Sequence, residues 1–183
     1  MLAAGAEAFD VLEFWWRAGP SRWFSRSDGF DAEIADRFGA LHARAVAGDL
    51  DDWQATPSGA LALVLLLDQF SRNLFRDDAR AFAADGKALA LAEAALARGF
   101  DRAFPKPARN FFYMPFMHAE DIELQERSVD LFRALGDKDG EYFALVHLDV
   151  IRRFGRFPHR NAALGRTTSA AEEAFLAGGG FSA

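Results

Sequence analysis

Apolar and polar positions recur along this chain with the period of a helix, not of a strand. Phe30, Ile34, Phe38, Leu41 and Ala45 fall at three- and four-residue spacing, which predicts a helix opening at Ser27 or Asp28 and ending near Gly48. A first helix is predicted over about 6–17, stopped by the breaker pair Gly19-Pro20. Thr56-Pro57 marks a third start, an N-cap followed by a proline whose missing N–H is harmless at the first helical position. From Gly59 to Leu67 the polar face disappears, so this helix is expected to be central and buried. An Ala-rich helix over about 78–98 meets Gly99, and the loop 100–109 follows. Pro115 predicts a kink, or two short helices meeting near His118. Asp121 caps a helix over 122–135 that closes at Gly136. The next opens at Asp139 or Gly140, with Phe143, His147, Val150, Phe154 and Phe157 on its inner face and Asp149, Arg152, Arg153 and Arg156 opposite. Ser169-Ala-Ala-Glu172 is a capping box for the last helix, and the tail 178–183 is expected to fray.

The residues that favour pleated sheets are scarce, while Ala, Leu and Phe abound. The expected fold is therefore all-α: a single domain over 1–183 of about seven helices, paired as in a tetratricopeptide-repeat-like α-α superhelix. With no cysteine there is no disulfide scaffold, thiolate metal site or cysteine nucleophile. The N-terminal stretch lacks the basic region of a signal peptide, and the longest apolar run is about half the ~18 residues of a membrane span. A soluble, cytoplasmic protein with no membrane partner is expected.

A net charge of −6 argues against nucleic acid as a partner. The sign reverses over 147–168, where Arg152, Arg153, Arg156, Arg160 and Arg166 face one acid, Asp149. A small anion is still compatible with that segment.

Four groups of residues carry candidate chemistry. Asp68, Gln69, Arg72 and Asn73 follow directly on the central helix; Asp68 and Arg72 lie one turn apart, as a base or cation ligand and an anion clamp, or as structural ties. His147 points inward, either filling core or facing a pocket where burial tunes its pKa. His118 and Glu120 flank the Pro115 interruption. The arginines of the segment 147–168 form a ladder that docks the last helix, binds an anion or binds a partner, with Arg153, Arg156, His159, Arg160 and Asn161 near the rim of any pocket and Arg166 expected to pair locally with Glu172 or Glu173. No metal-ligand motif, phosphate-cradling loop or nucleophile elbow is present, so no metal or cofactor is expected. Phe14, Trp15, Trp16, Trp23 and Phe24 make the N-terminus aromatic, and a homodimer contact there is one reading.

Together, "LDQFSRN", "FFYMPFMHAED", "RRFGRFPHRN" with "LGR", and "EEAFL" resemble an uncharacterised bacterial family, domain-of-unknown-function family 924. The likeness extends to "FWW" near the start and "AFAADGKAL" at 81–89. It implies a tetratricopeptide-like helical superhelix and no established activity. The chain departs from the family pattern at Ser71, where a proline is expected, and at Asp77-Asp78, where a glycine is expected.

Two functions follow. In one, a polar pocket binds a small anionic or polar metabolite, with hydrolytic chemistry an option: Asp68, His118, Glu120 and His147 are its candidate catalytic residues, and Gln69, Arg72, Asn73, Arg153, Arg156, His159, Arg160 and Asn161 its ligand contacts. In the other, the helices form a peptide-holding scaffold and the polar clusters are structural.

Overall fold

The computed structural model describes residues 3–181, all-helical with turns and no strand among them. Among the described residues no helix is long and apolar enough to cross a membrane. Two compact units divide the chain, Met1–Arg76 with Arg80–Phe112, and Asp77–Ala79 with Tyr113–Ala183.

In the first unit, α1 (Ala3–Ala18) ends where Gly19 takes φ 75, and Pro20 opens the short α2 (Pro20–Trp23). Trp15 is fully buried and stacks on Trp23, whose indole N–H donates to the Trp15 carbonyl at 2.6 Å. Helix α3 (Asp28–Ala47) is capped by Ser27 and closed by Gly48 at φ 94. All five residues of its predicted apolar face are buried, with Phe14, Phe38 and Phe70 in mutual ring contact.

Helix α4 (Pro57–Val64) starts at the predicted cap, Thr56 Oγ1 accepting the Gly59 N–H at 3.1 Å. A β-carbon on Gly59 would lie 2.2 Å from the Trp53 carbonyl oxygen, so only glycine lets the helix pass there. The helix is buried as expected, but it continues through a π-helical turn, Leu65–Phe70, into α5 (Ser71–Leu74). Ser71 Oγ donates to the Leu67 carbonyl at 2.6 Å inside that wide turn. Helix α6 spans Asp85–Ala97, seven residues later than the predicted start. The reason is local: Asp77 holds φ 61, a left-handed conformation that helix cannot propagate, and a 3₁₀ turn, Ala79–Ala81, follows. That conformation is the one glycine adopts most easily, in keeping with the glycine that the resemblance led us to expect there.

Helix α7 (Lys106–Met117) carries Pro115 inside one continuous helix, not two short ones. The proline falls in the last turn, where one lost bond is tolerated, and the side-chain amide of Gln125 donates to the Met117 and Ala119 carbonyls at 2.6 and 2.7 Å.

The second unit is built on the paired helices α8 (Ile122–Leu135) and α9 (Lys138–Phe154). Asp121 and Gly136 cap α8 as predicted; α9 is capped earlier than expected, by Asp137 accepting the Gly140 N–H at 3.1 Å. Its inner stripe runs through Ala144, His147, Leu148 and Ile151, and a β-carbon on Gly140 would lie 2.3 Å from the Phe132 ring. Phe143 therefore sits at the margin of the stripe and is 51 % exposed, not buried as its spacing suggested. Gly155 closes α9 at φ 70, and α10 (Ala170–Ala177) begins with the predicted capping box. Val150, Ile151 and Phe157 form a core against which Phe154, Phe175 and Phe181 pack. The tail expected to fray is described as far as Phe181, whose ring meets His147; residues 182 and 183 lie outside the described residues.

Candidate functional site

The candidate residues divide between the units: Asp68, Gln69, Arg72 and Asn73 fall in the first, and the remainder in the second. Each set forms its own network.

In the first unit the π turn buries Asp68 and Gln69. Arg72 Nη1 lies 3.3 Å from Asp68 Oδ1 and donates to the Asp68 carbonyl at 2.7 Å, so the predicted one-turn pair is present. The same guanidinium takes Asp85 through both terminal nitrogens, at 3.0 and 3.1 Å. Burial opposes its charge, but the two carboxylates outweigh that and hold the Arg72 pKa above its ordinary value. A guanidinium fork filled by Asp85 has its anion-clamping geometry already in use. Gln69 donates to Asp68 Oδ2 at 2.6 Å, and Asn73 donates to Asp31 Oδ1 at 2.7 Å beside the Arg76–Asp31 pair. His42, which sequence reasoning did not single out, is buried beside Ser71 at 2.8 Å. Because the Ser71 hydroxyl spends its proton on Leu67, it accepts from His42 Nε2–H, and burial pushes the His42 pKa down.

In the second unit the arginine ladder resolves into separate ties. Arg152 meets Glu126 at 2.8 Å, and Arg153 faces Asp149 at 3.5 Å while covering the Phe175 ring. Arg156 takes Glu172 through two bonds, at 2.7 and 2.9 Å, and also donates to the Thr167 carbonyl. Glu172 thereby serves the capping box and docks α10 onto the turn after α9; the Arg156 bonds, then the Ser169 N–H, hold its carboxyl far below the usual range. The expected local partner of Glu172, Arg166, is instead bound to Glu120 at 2.6 and 3.0 Å. Glu120 Oε1 also accepts the Phe157 N–H at 2.8 Å, and Arg166 Nε donates to Asn161 Oδ1 at 2.9 Å. Burial alone would raise the Glu120 carboxyl; the Arg166 and Phe157 bonds, with the charges of Arg166 and Arg160, bring it below its ordinary value.

Three of the four histidines gather around two phenylalanines. The His147 ring lies 6.2 Å from His118, 5.5 Å from Phe157 and 4.3 Å from Phe181, and His159 lies 5.6 Å from both of those phenylalanines. The Arg160 guanidinium covers the Phe157 face at 4.5 Å. His147 Nδ1 meets the Phe143 carbonyl at 2.7 Å, and a carbonyl only accepts, so Nδ1 carries the proton and Nε2 the lone pair. Burial first, then the charge of His118, lowers the His147 pKa to about 3 against the Phe143 bond, with Arg160 and His159 adding to the fall. Such an imidazole is neutral near pH 7 and accepts a hydrogen bond, but it is too weak a base to take a proton efficiently. Among the described residues no three His, Asp or Glu side chains are grouped as metal ligands.

Beside the histidines, and sharing Phe181 with them, an open groove of about 410 Å³ is lined by Tyr142, Leu145, Val146, Asp149, Val150 and Phe175. In the first unit a smaller hollow of about 220 Å³ is rimmed by Glu13, Arg17, Arg22, Glu33 and Arg37.

This all-helical architecture is that of a bacterial family of unknown function. The chain belongs to the family described as bacterial protein of unknown function (DUF924), whose model matches residues 11–180. It is similar to a solved structure titled "Structure of Protein of Unknown Function ATU0120 from Agrobacterium tumefaciens", at 44% identity and a TM-score of 0.91, covering 94% of this chain and 97% of that one. Among curated proteins none matches.

Proposed function

We propose that the protein binds a small anionic metabolite at His118, His147, His159 and Arg160, and that it binds the ligand without hydrolysing it. The observation that carries this reading is the cluster itself: two further imidazoles and the Arg160 guanidinium gather about one buried, neutral imidazole that is protonated at Nδ1 and holds its lone pair at Nε2. A ligand suited to that arrangement is negatively charged and still carries a hydroxyl proton, as a hydrogen phosphate group does: its hydroxyl donates a hydrogen bond to His147 Nε2 and its charge faces the Arg160 guanidinium. His147 is too weakly basic to activate water, which favours binding over bond cleavage. In this reading Asp68, Gln69, Arg72, Asn73, Glu120, Arg153, Arg156 and Asn161 are structural ties, each bound to another group of its own unit.

The test is ligand-induced stabilisation by inorganic phosphate, followed by thermal unfolding and by the side-chain nitrogen signals of the histidines. Phosphate should raise the melting temperature and move the His147 signal, and His118→Asn with His159→Asn should keep the fold and remove the response. An unchanged response in that double variant would sink the site. The rival reading, a peptide-holding scaffold, uses the exposed Tyr142, Phe143 and Leu145 and predicts no phosphate response at all.

A further inference from the structure

The apolar groove and the histidine cluster meet at one ring. Phe181 lies 4.3 Å from His147 on one side and lines the groove on the other. The groove volume, about 410 Å³, falls in the range of about 300–1,000 Å³ typical of small-molecule sites. Its walls are apolar, and two of them, Tyr142 at 62 % and Leu145 at 43 %, are exposed large side chains on α9, where Phe143 is exposed as well. The one charged residue lining it is Asp149, whose carboxylate faces Arg153 at 3.5 Å. That carboxylate repels an anionic group within the groove, so a negative head is directed to the Phe181 end, where that ring meets His147 and His159. Phe181 is tethered through Gly178, Gly179 and Gly180, and it already seats an aromatic group against the buried imidazole.

We infer that the ligand is an amphipathic anion: an acidic head that retains a hydroxyl proton sits at the histidines, and an alkyl or aryl chain lies in the groove of Tyr142, Leu145, Val146, Val150 and Phe175. This rests on the anion site proposed above, and it adds the chain. Burial of that chain, together with the apolar walls it covers, supplies affinity that inorganic phosphate lacks.

Calorimetric titration of the whole chain with octyl phosphate, inorganic phosphate and octanol, all below micellar concentration, separates the two ideas. Octyl phosphate should bind at least about tenfold more tightly than either of the others. Leu145→Gln, which adds no charge, should bring the affinity for octyl phosphate down towards that for inorganic phosphate; because Leu145 is a surface residue, circular dichroism should be unaltered, and Tyr142→Gln serves as a second variant if it is not. Equal affinity for the two phosphates would overturn the chain assignment and leave the anion site standing. Octanol binding as tightly as octyl phosphate would overturn the inference, since the head would then contribute nothing. Absence of binding by all three would end both readings.

Discussion

Glu120 and Arg166, 46 residues apart, form a two-bond pair at 2.6 and 3.0 Å that closes the loop between α9 and α10 onto the start of α8. The same carboxylate accepts the Phe157 N–H, and the same guanidinium donates to the Phe157 carbonyl at 3.1 Å, so both backbone groups of Phe157 are satisfied by one ion pair. Phe157 is fully buried and carries the histidines' aromatic wall. Geometry of the candidate site thus depends on a pair that touches no ligand.

Glu120→Gln should destabilise the protein by about 1–3 kcal/mol, the cost typical of losing a hydrogen-bonded charge pair. Arg166→Met should cost a similar amount, and the double variant less than the sum, because both changes break one network. Urea unfolding of the four proteins measures the coupling. Strict additivity would mean the pair is held by the loop and does not hold it.

A second expectation concerns acid. Unfolded His147 takes up a proton near pH 6.5, whereas in the fold burial keeps it neutral down to about 3. Its contribution is therefore complete above pH 6.5 and declines as the pH falls between those values, by up to about 1.4 kcal/mol per pH unit. His42 adds a decline of the same sign, and below the ordinary carboxylate range Glu120 and Glu172, both lowered, join it. His147→Gln keeps an amide donor for the Phe143 carbonyl but does not titrate. Stability measured at pH 7 and pH 5 should differ less for this variant than for the parent.

How far the sequence reaches is visible in which pairs it foretold. The caps at Thr56, Asp121 and Ser169 were legible, and that at Ser27 to within two adjacent residues, because a cap is a local event, decided by residues within one turn. So was Asp68–Arg72, at four residues' spacing. Glu120–Arg166 and Arg156–Glu172 were not, since the spacing of 46 and 16 residues carries no pattern and several arginines compete for each acid. The π turn at Leu65–Phe70 was hidden too: every residue from Gly59 to Phe70 is buried, so the pattern has no polar side against which a change of period would register. His147 was read as inward-facing, and it is; that His118 and His159 join it depends on how loops fold back.

Ser71, where the resemblance led us to expect a proline, is fully buried. Ser71→Ala removes both the bond to the Leu67 carbonyl and the acceptor of His42 Nε2–H. With His42 only 6% exposed, the stranded donor should cost about 1–3 kcal/mol. Ser71→Ala combined with His42→Phe should recover much of that loss, because no polar group is then left without a partner; chemical denaturation distinguishes the two outcomes.

Arg72 bridges Asp68, which is 1% exposed, and the partly exposed Asp85. Removing it leaves the buried carboxylate without its guanidinium, and breaking a buried pair from one side typically costs about 3–5 kcal/mol. Arg72→Met, which keeps the aliphatic stem, should therefore unfold at clearly lower denaturant than the parent. Asp85→Asn should be milder, since that carboxylate is partly solvated and Arg72 retains Asp68. If the first unit uses this network as a tie, as proposed, both variants should keep any phosphate response at the histidines. A loss of that response in a still-folded Arg72→Met protein would instead assign Arg72 to ligand binding.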